Sequence, residues 1–307
     1  MALSYTPRAK TNIGQMTKDT WDTSKLPIYG CLTGIDLPNA RVEILPGIVL
    51  NRIYVDTIGT TMMAFAPPPT PKSPHPAPWV AVSGEINFKS RTEIELTNIN
   101  ACDGLSPSVA VWLVAAVLRL RISTPIRLAV IGNIPFDMMG ERSQEVRAIA
   151  FEGAPNQFGP FTAECTEVTE YELSWLRDML PVSARLYHDE RFYRAFSVYD
   201  QAQWAPTTEM GTVFVWTAIE ILFDLGAERD KTKAICRALS DYVKADPFDR
   251  DRAYSIIREL YYKRGQAVHA GRSISSQDVI QTFQLAKVAF QNVLIQGRLP
   301  MSTKETV

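Results

Sequence analysis

The stretch Ser108–Arg121, SVAVWLVAAVLRLR, limits the possible folds more than any other part of this chain. Ser106 supplies a helix cap and Pro107 suits the first helical position, so a helix is expected to start there. That helix is apolar nearly all round, so it must be covered on most of its sides. Short β-branched and aromatic runs surround it in sequence: IYGCL, RVEIL, GIVLNRIYV and TTMMAFA before it, with Gly34, Pro38 and Pro46 as breaks. WVAVSGEINF and RTEIELTN follow the same pattern, and after Thr124-Pro125 come IRLAVIGN, VRAIAFEG and FTAECTEV. The expectation over residues 26–168 is an α+β domain, a mixed sheet sharing one core with one buried helix.

Within that domain Glu93 and Glu95 alternate with Ile94 and Leu96, which predicts a half-buried strand with both carboxylates in water. Glu85 reads the same way. There is no phosphate loop, dinucleotide fingerprint, nucleophile elbow or zinc-protease motif. Residues 1–25 are polar and without period, as in a flexible arm. The segment 67–78, PPPTPKSPHPAP, reads as a polyproline II surface loop that exposes His75; the alternative is a PxxP ligand for an aromatic groove.

The pattern changes at Thr169, which with Glu172 forms a capping box. Helical periods then run to Gly297: a first helix ending at Pro181, a second over 182–203, a third over 210–225, a fourth over 228–245, one over 251–270 and one starting at Ser275. Residues 169–298 therefore read as an all-helical bundle with a tail at 299–307. His188, set among charges in LYHDER, reads as a surface residue.

Two charges in the bundle fall on apolar faces. Glu220 is the lone charge between Val213 and Phe223, and Arg264 lies on the stripe made by Ala253, Ile256, Ile257, Leu260, Ala267 and Val268. Each needs an opposite charge, so their pairing is the economical solution. His269 follows Arg264 by five residues, just before Ala270-Gly271, where a helix C-terminus favours an imidazolium. At about 100° per residue the two side chains stand about 140° apart, so one helix makes a loose pair. Two copies across a twofold axis would bring both pairs to one cleft.

LYYKRGQAVHAG, some forty residues after WTAIEILF, resembles the Apea-like branch of the HEPN family, whose signature is Arg, four residues, then His. The resemblance covers roughly 171–297 and implies a helical, usually dimeric domain that cleaves RNA without a metal. In active members it implies Arg264 and His269 as catalytic residues, with Glu220 orienting Arg264 or setting the His pKa. Lys263 and Arg272 would hold flanking phosphates. Active members commonly place a polar residue after the Arg; here that position is Gly265.

The overall expectation is thus an α+β domain followed by a HEPN-like helical bundle. Its leading function is an endoribonuclease in a bacterial toxin or anti-phage role, with the first domain as sensor or regulator. A non-catalytic dimerisation or protein-interaction module is the alternative, and a sensor of a phosphate ligand or nucleotide is a third. Expected partners are RNA, a second copy of the chain and a regulatory protein of unknown kind. No cofactor or metal is expected, since the four cysteines are scattered without ligand spacing and there are only three histidines. Cysteines scattered in this way suit a reducing cytosol, and the longest apolar run, 109–118, is too short for the ~20 residues of a membrane span. The net charge of −1, and 17 basic against 17 acidic residues between Glu170 and Arg298, exclude a strongly basic nucleic-acid coat.

Overall fold

The computed structural model describes residues 22–57, 60–64, 71, 79–83, 88–140, 146–152, 159, 161, 163–225, 230–243, 250–270 and 272–301, with the backbone alone at 56–57, 60–64, 79–83, 88 and 268–270. The arm up to 21, nearly all of the proline-rich segment with His75, Glu85, and the tail from 302 lie outside the described residues.

The first half is an antiparallel sheet with a helix on one face. Its strands are β1 (Ile28–Thr33), β3 (Arg41–Leu45), β4 (Ile48–Thr57), β7 (Phe88–Leu96), β8 (Arg127–Gly132) and β9 (Ala148–Ala150), in the order β3-β4-β7-β1-β8-β9. All five pairings are antiparallel, so the expected mixed sheet is corrected. For β3 and β4 the reason lies in their connection, since strands joined by a tight turn must reverse direction. Pro46-Gly47 is such a turn, with Gly47 at φ +84° and Leu45 opposite Ile48. Parallel pairing occurs between the two-residue strands β2 (Ile35–Asp36) and β10 (Thr166–Glu167), and β5 (Thr60–Ala64) forms a separate hairpin with β6 (Trp79–Ser83).

Helix α1 (Pro107–Arg119) packs on this sheet with one side and on the bundle with the other, as its all-round apolar surface requires. Val111 lies so close to β1 that a Cβ on Gly30 would stand 2.5 Å from its Cγ1. Glycine is what lets the helix settle there. The opposite face of the sheet is covered too: Tyr29, Cys31 and Phe136 form a small cluster with Ile53, Val55, Val130 and Met139.

The second half contains α2 (Glu170–Leu186), α3 (Glu190–Ala202), α4 (Thr208–Phe223), α5 (Lys231–Val243), α6 (Arg250–Ala270) and α7 (Ser276–Gln296). Thr169 begins α2, its N–H donating to the Glu172 carboxylate at 3.0 Å. Pro181 does not end this helix, contrary to its sequence reading. An interior proline costs about 3 kcal/mol. Here its ring faces solvent while Leu173, Leu176, Leu180 and Ala184 stay buried on both sides of it, and their burial outweighs that cost. The break comes at Asp189, whose carboxylate accepts from the N–H groups of Arg191 and Phe192 to start α3. Gly297 at φ +64° ends α7. Buried residues of the sheet, α1 and the bundle form one continuous apolar cluster.

Among the described residues, no helix is long and apolar enough to cross a membrane and no group of His, Cys, Asp and Glu is placed to hold a metal ion.

Candidate functional site

The two isolated charges of the bundle meet. Arg264 on α6 approaches Glu220 on α4, with Nη2 3.6 Å from Oε1. At that distance the contact is an ion pair without a hydrogen bond. The side chains of Arg264 and Glu220 keep 20% and 38% of their surface in water, so neither charge is sealed in.

Glu220 has a closer partner in Tyr261, whose hydroxyl donates to the same Oε1 at 2.8 Å. Burial, the hydrogen bond and the nearby carboxylate raise the tyrosine pKa to about 12, partly offset by Arg264, so the ring stays a neutral donor. Trp216 meets Tyr261 edge to face at 5.0 Å, and the Arg264 guanidinium lies 5.5 Å from the Tyr261 ring centre. Tyr261 was not singled out from sequence, yet it stands three residues before Arg264, on the same helical face. Two buried donors here, Trp216 Nε1 and Arg264 Nε, lack a hydrogen-bond partner among the described residues.

Tyr261 also separates two recesses. One, of about 190 Å³, is lined by Glu220, Asp224, Lys231 and Ile235. The other is an open groove of about 760 Å³ along α5 and α6, walled by Tyr254, Arg258, Tyr262, Gly265 and Gln266. A Cβ on Gly265 would meet nothing within 4 Å, so this glycine opens onto the groove and makes no close helix contact.

The remaining expected site residues are placed less uniformly. Lys263 is tied to Glu259 and Asp278, each at 2.8 Å, which offsets its charge as a phosphate ligand. Arg272 is exposed between α6 and α7. The backbone of His269 belongs to the last turn of α6; its side chain lies outside the described residues, as does Gly271. On the expected apolar stripe, Ala253, Ile257 and Leu260 are buried, but Ile256 is 43% exposed and lines a groove of about 370 Å³ with Val288 of α7. His188 is half exposed, its Nε2 2.7 Å from the Asp103 carbonyl oxygen.

One carboxylate departs from its sequence reading. Glu93 is 2% exposed, accepting from the Phe136 N–H at 2.7 Å and the Asn51 side chain at 3.2 Å. Its outward alternation was read correctly, but the segment around Phe136 folds over that face. Burial is the main cause that lifts its pKa to about 7. Its neighbour Glu95 stays partly exposed and is held below the usual range by Arg41, at 2.6 Å.

No family model, curated protein or solved structure matches this chain.

Proposed function

We propose that the second half is a HEPN-type helical domain and that the chain is a metal-independent endoribonuclease, dimeric through that domain, with the sheet half as sensor or regulator. The toxin or anti-phage setting belongs to the same reading and rests on the family resemblance alone. The observation that carries the chemistry is the state of Arg264: its side chain is partly open to water and only loosely paired to Glu220, and its neighbours Tyr261 and Gly265 line a groove large enough for a nucleotide.

In this reading Arg264 holds the phosphoryl oxygens through paired N–H donors as charge builds on them. His269 takes the proton from the ribose 2′-hydroxyl or gives one to the leaving 5′-oxygen, and two copies in a dimer divide those roles. The attacking oxygen forms a bond to phosphorus as the bond to the 5′-oxygen breaks, leaving a cyclic phosphate and a 5′-hydroxyl. Glu220, held by Tyr261, orients the guanidinium. The apolar groove that exposes Ile256 and Val288 supports pairing of two copies.

Incubating the full-length protein with mixed RNA in EDTA tests the reading. Wild type is expected to cut, and Arg264→Ala and His269→Ala to lose at least a hundredfold in rate, with unfolding temperatures within a few degrees of wild type. Absence of cleavage by wild type, or cleavage that requires added divalent metal, would overturn it.

A further inference from the structure

The seam where the sheet half meets the bundle contains a small cavity of about 50 Å³, walled in part by Arg119, Ser123, Thr124, Tyr199, Phe283 and Lys287. Lys287 reaches it from α7. Its amine lies 3.4 Å from both the Arg121 carbonyl oxygen and the Ser123 hydroxyl, at the long limit for such bonds. Burial, and then the like charge of Arg121, lowers its pKa to about 8.

Among the described residues no carboxylate pairs with this amine. Asp200 lines the same cavity, but both its oxygens accept from Arg119 at 2.9 Å. Thr124 is 1% exposed and its hydroxyl has no partner among the described residues. A largely buried cation without an anion and a buried hydroxyl without a partner are each unfavourable alone. Both residues line one cavity, and the Lys287 amine is the group that reaches it, since the Thr124 oxygen is closed off.

We propose that this seam binds a small oxyanion, of carboxylate or phosphate size, with the Lys287 amine as its counter-ion. Water alone would leave the charge uncompensated. The volume admits a group of a few heavy atoms and excludes a base or sugar beside it. Because the walls come from α1 and the segment after it, from α3 and from α7, a bound anion would tie the two halves together and stabilise the folded chain. The site is separate from Arg264 and independent of any ribonuclease activity.

The test uses the full-length protein in sodium phosphate, sodium acetate or sodium chloride of equal ionic strength, with AMP as a fourth condition. Thermal unfolding and the rate at which an amine-reactive acyl reagent labels Lys287, read by peptide mass spectrometry, are followed together. Phosphate or acetate is expected to raise the unfolding temperature over chloride and to slow Lys287 labelling about tenfold. Lys287→Met is expected to abolish the thermal shift. Labelling needs no variant, so a misfolded substitution leaves the test intact. Equal labelling in phosphate, acetate and chloride would overturn the proposal, as would a full thermal shift in Lys287→Met. Protection by AMP equal to that by phosphate would overturn the small-ion assignment.

Discussion

Arg119 and Arg264 each meet carboxylates across elements distant in sequence, but water reaches the two clusters very differently. At Arg119 the side chains of the arginine, Asp200 and Glu152 are 6%, 5% and 10% exposed. The guanidinium donates to the Ile126 carbonyl, to both Asp200 oxygens and to Glu152, while the Trp112 indole N–H also donates to Asp200. Burial opposes the charge on Arg119, yet Asp200 and Glu152 outweigh it and hold its pKa above the usual value. At Arg264 the single carboxylate is 3.6 Å away and the Nε is unpartnered among the described residues. A dry pair with its hydrogen bonds filled serves the fold, whereas a wet, loose one can exchange its carboxylate for another anion.

The contrast is open to measurement. Asp200→Ala strips the dry cluster of one anion and the Trp112 acceptor, and is expected to cost about 3–5 kcal/mol in a denaturant titration. A loss below about 1 kcal/mol there would erase the distinction between the two arginines.

Glu93 provides an intermediate case, a buried carboxylate with hydrogen bonds but no direct cation partner among the described residues. Its pKa is near 4.5 as an ordinary carboxyl and about 7 in the fold, so between those values the folded chain takes up the proton. Stability contributed by Glu93 is therefore highest below about pH 4.5, falls as pH rises to about 7, and stays low above it. The full span is at most about 3 kcal/mol. Glu93→Gln is expected to flatten that part of the stability–pH curve and to raise stability at pH 8; an unchanged slope between pH 5 and 7 would argue against a protonated Glu93.

The smallest effect belongs to the wet pair. Glu220→Gln keeps an acceptor for Tyr261 and is expected to change stability by less than about 1 kcal/mol, while lowering cleavage if the carboxylate orients Arg264. A stability loss matching that of Asp200→Ala would show that both clusters are structural.

Much of the architecture was legible in the residues. The all-round apolar helix at 107–119, the strand runs beside it, the capping box at Thr169 and the meeting of Glu220 with Arg264 all follow from period and charge. Other features resisted because a distant part of the chain sets them. Pro181 carries a stop signal, but the apolar stripe on both sides of it stays buried and the helix continues. The alternation that puts Glu93 opposite the apolar face is real, yet alternation cannot reveal that the Phe136 segment covers that second face. Tyr261 stood on the right helical face, but only the approach of α4 makes its hydroxyl the nearest partner of Glu220.

From its sequence alone, this chain was bound to cover the helix at 107–119 on most sides and to find opposite charges for Glu220 and Arg264, since apolar surface and unpaired charge are each costly wherever they sit. Only the tertiary structure decided which charges were dried. Desolvation depends on what packs over a group, and the segments over Asp200, Glu93 and Lys287 come from far along the chain. The wet pair at Arg264, and the Lys287 amine with no carboxylate partner among the described residues, are products of that packing, which residue spacing does not encode.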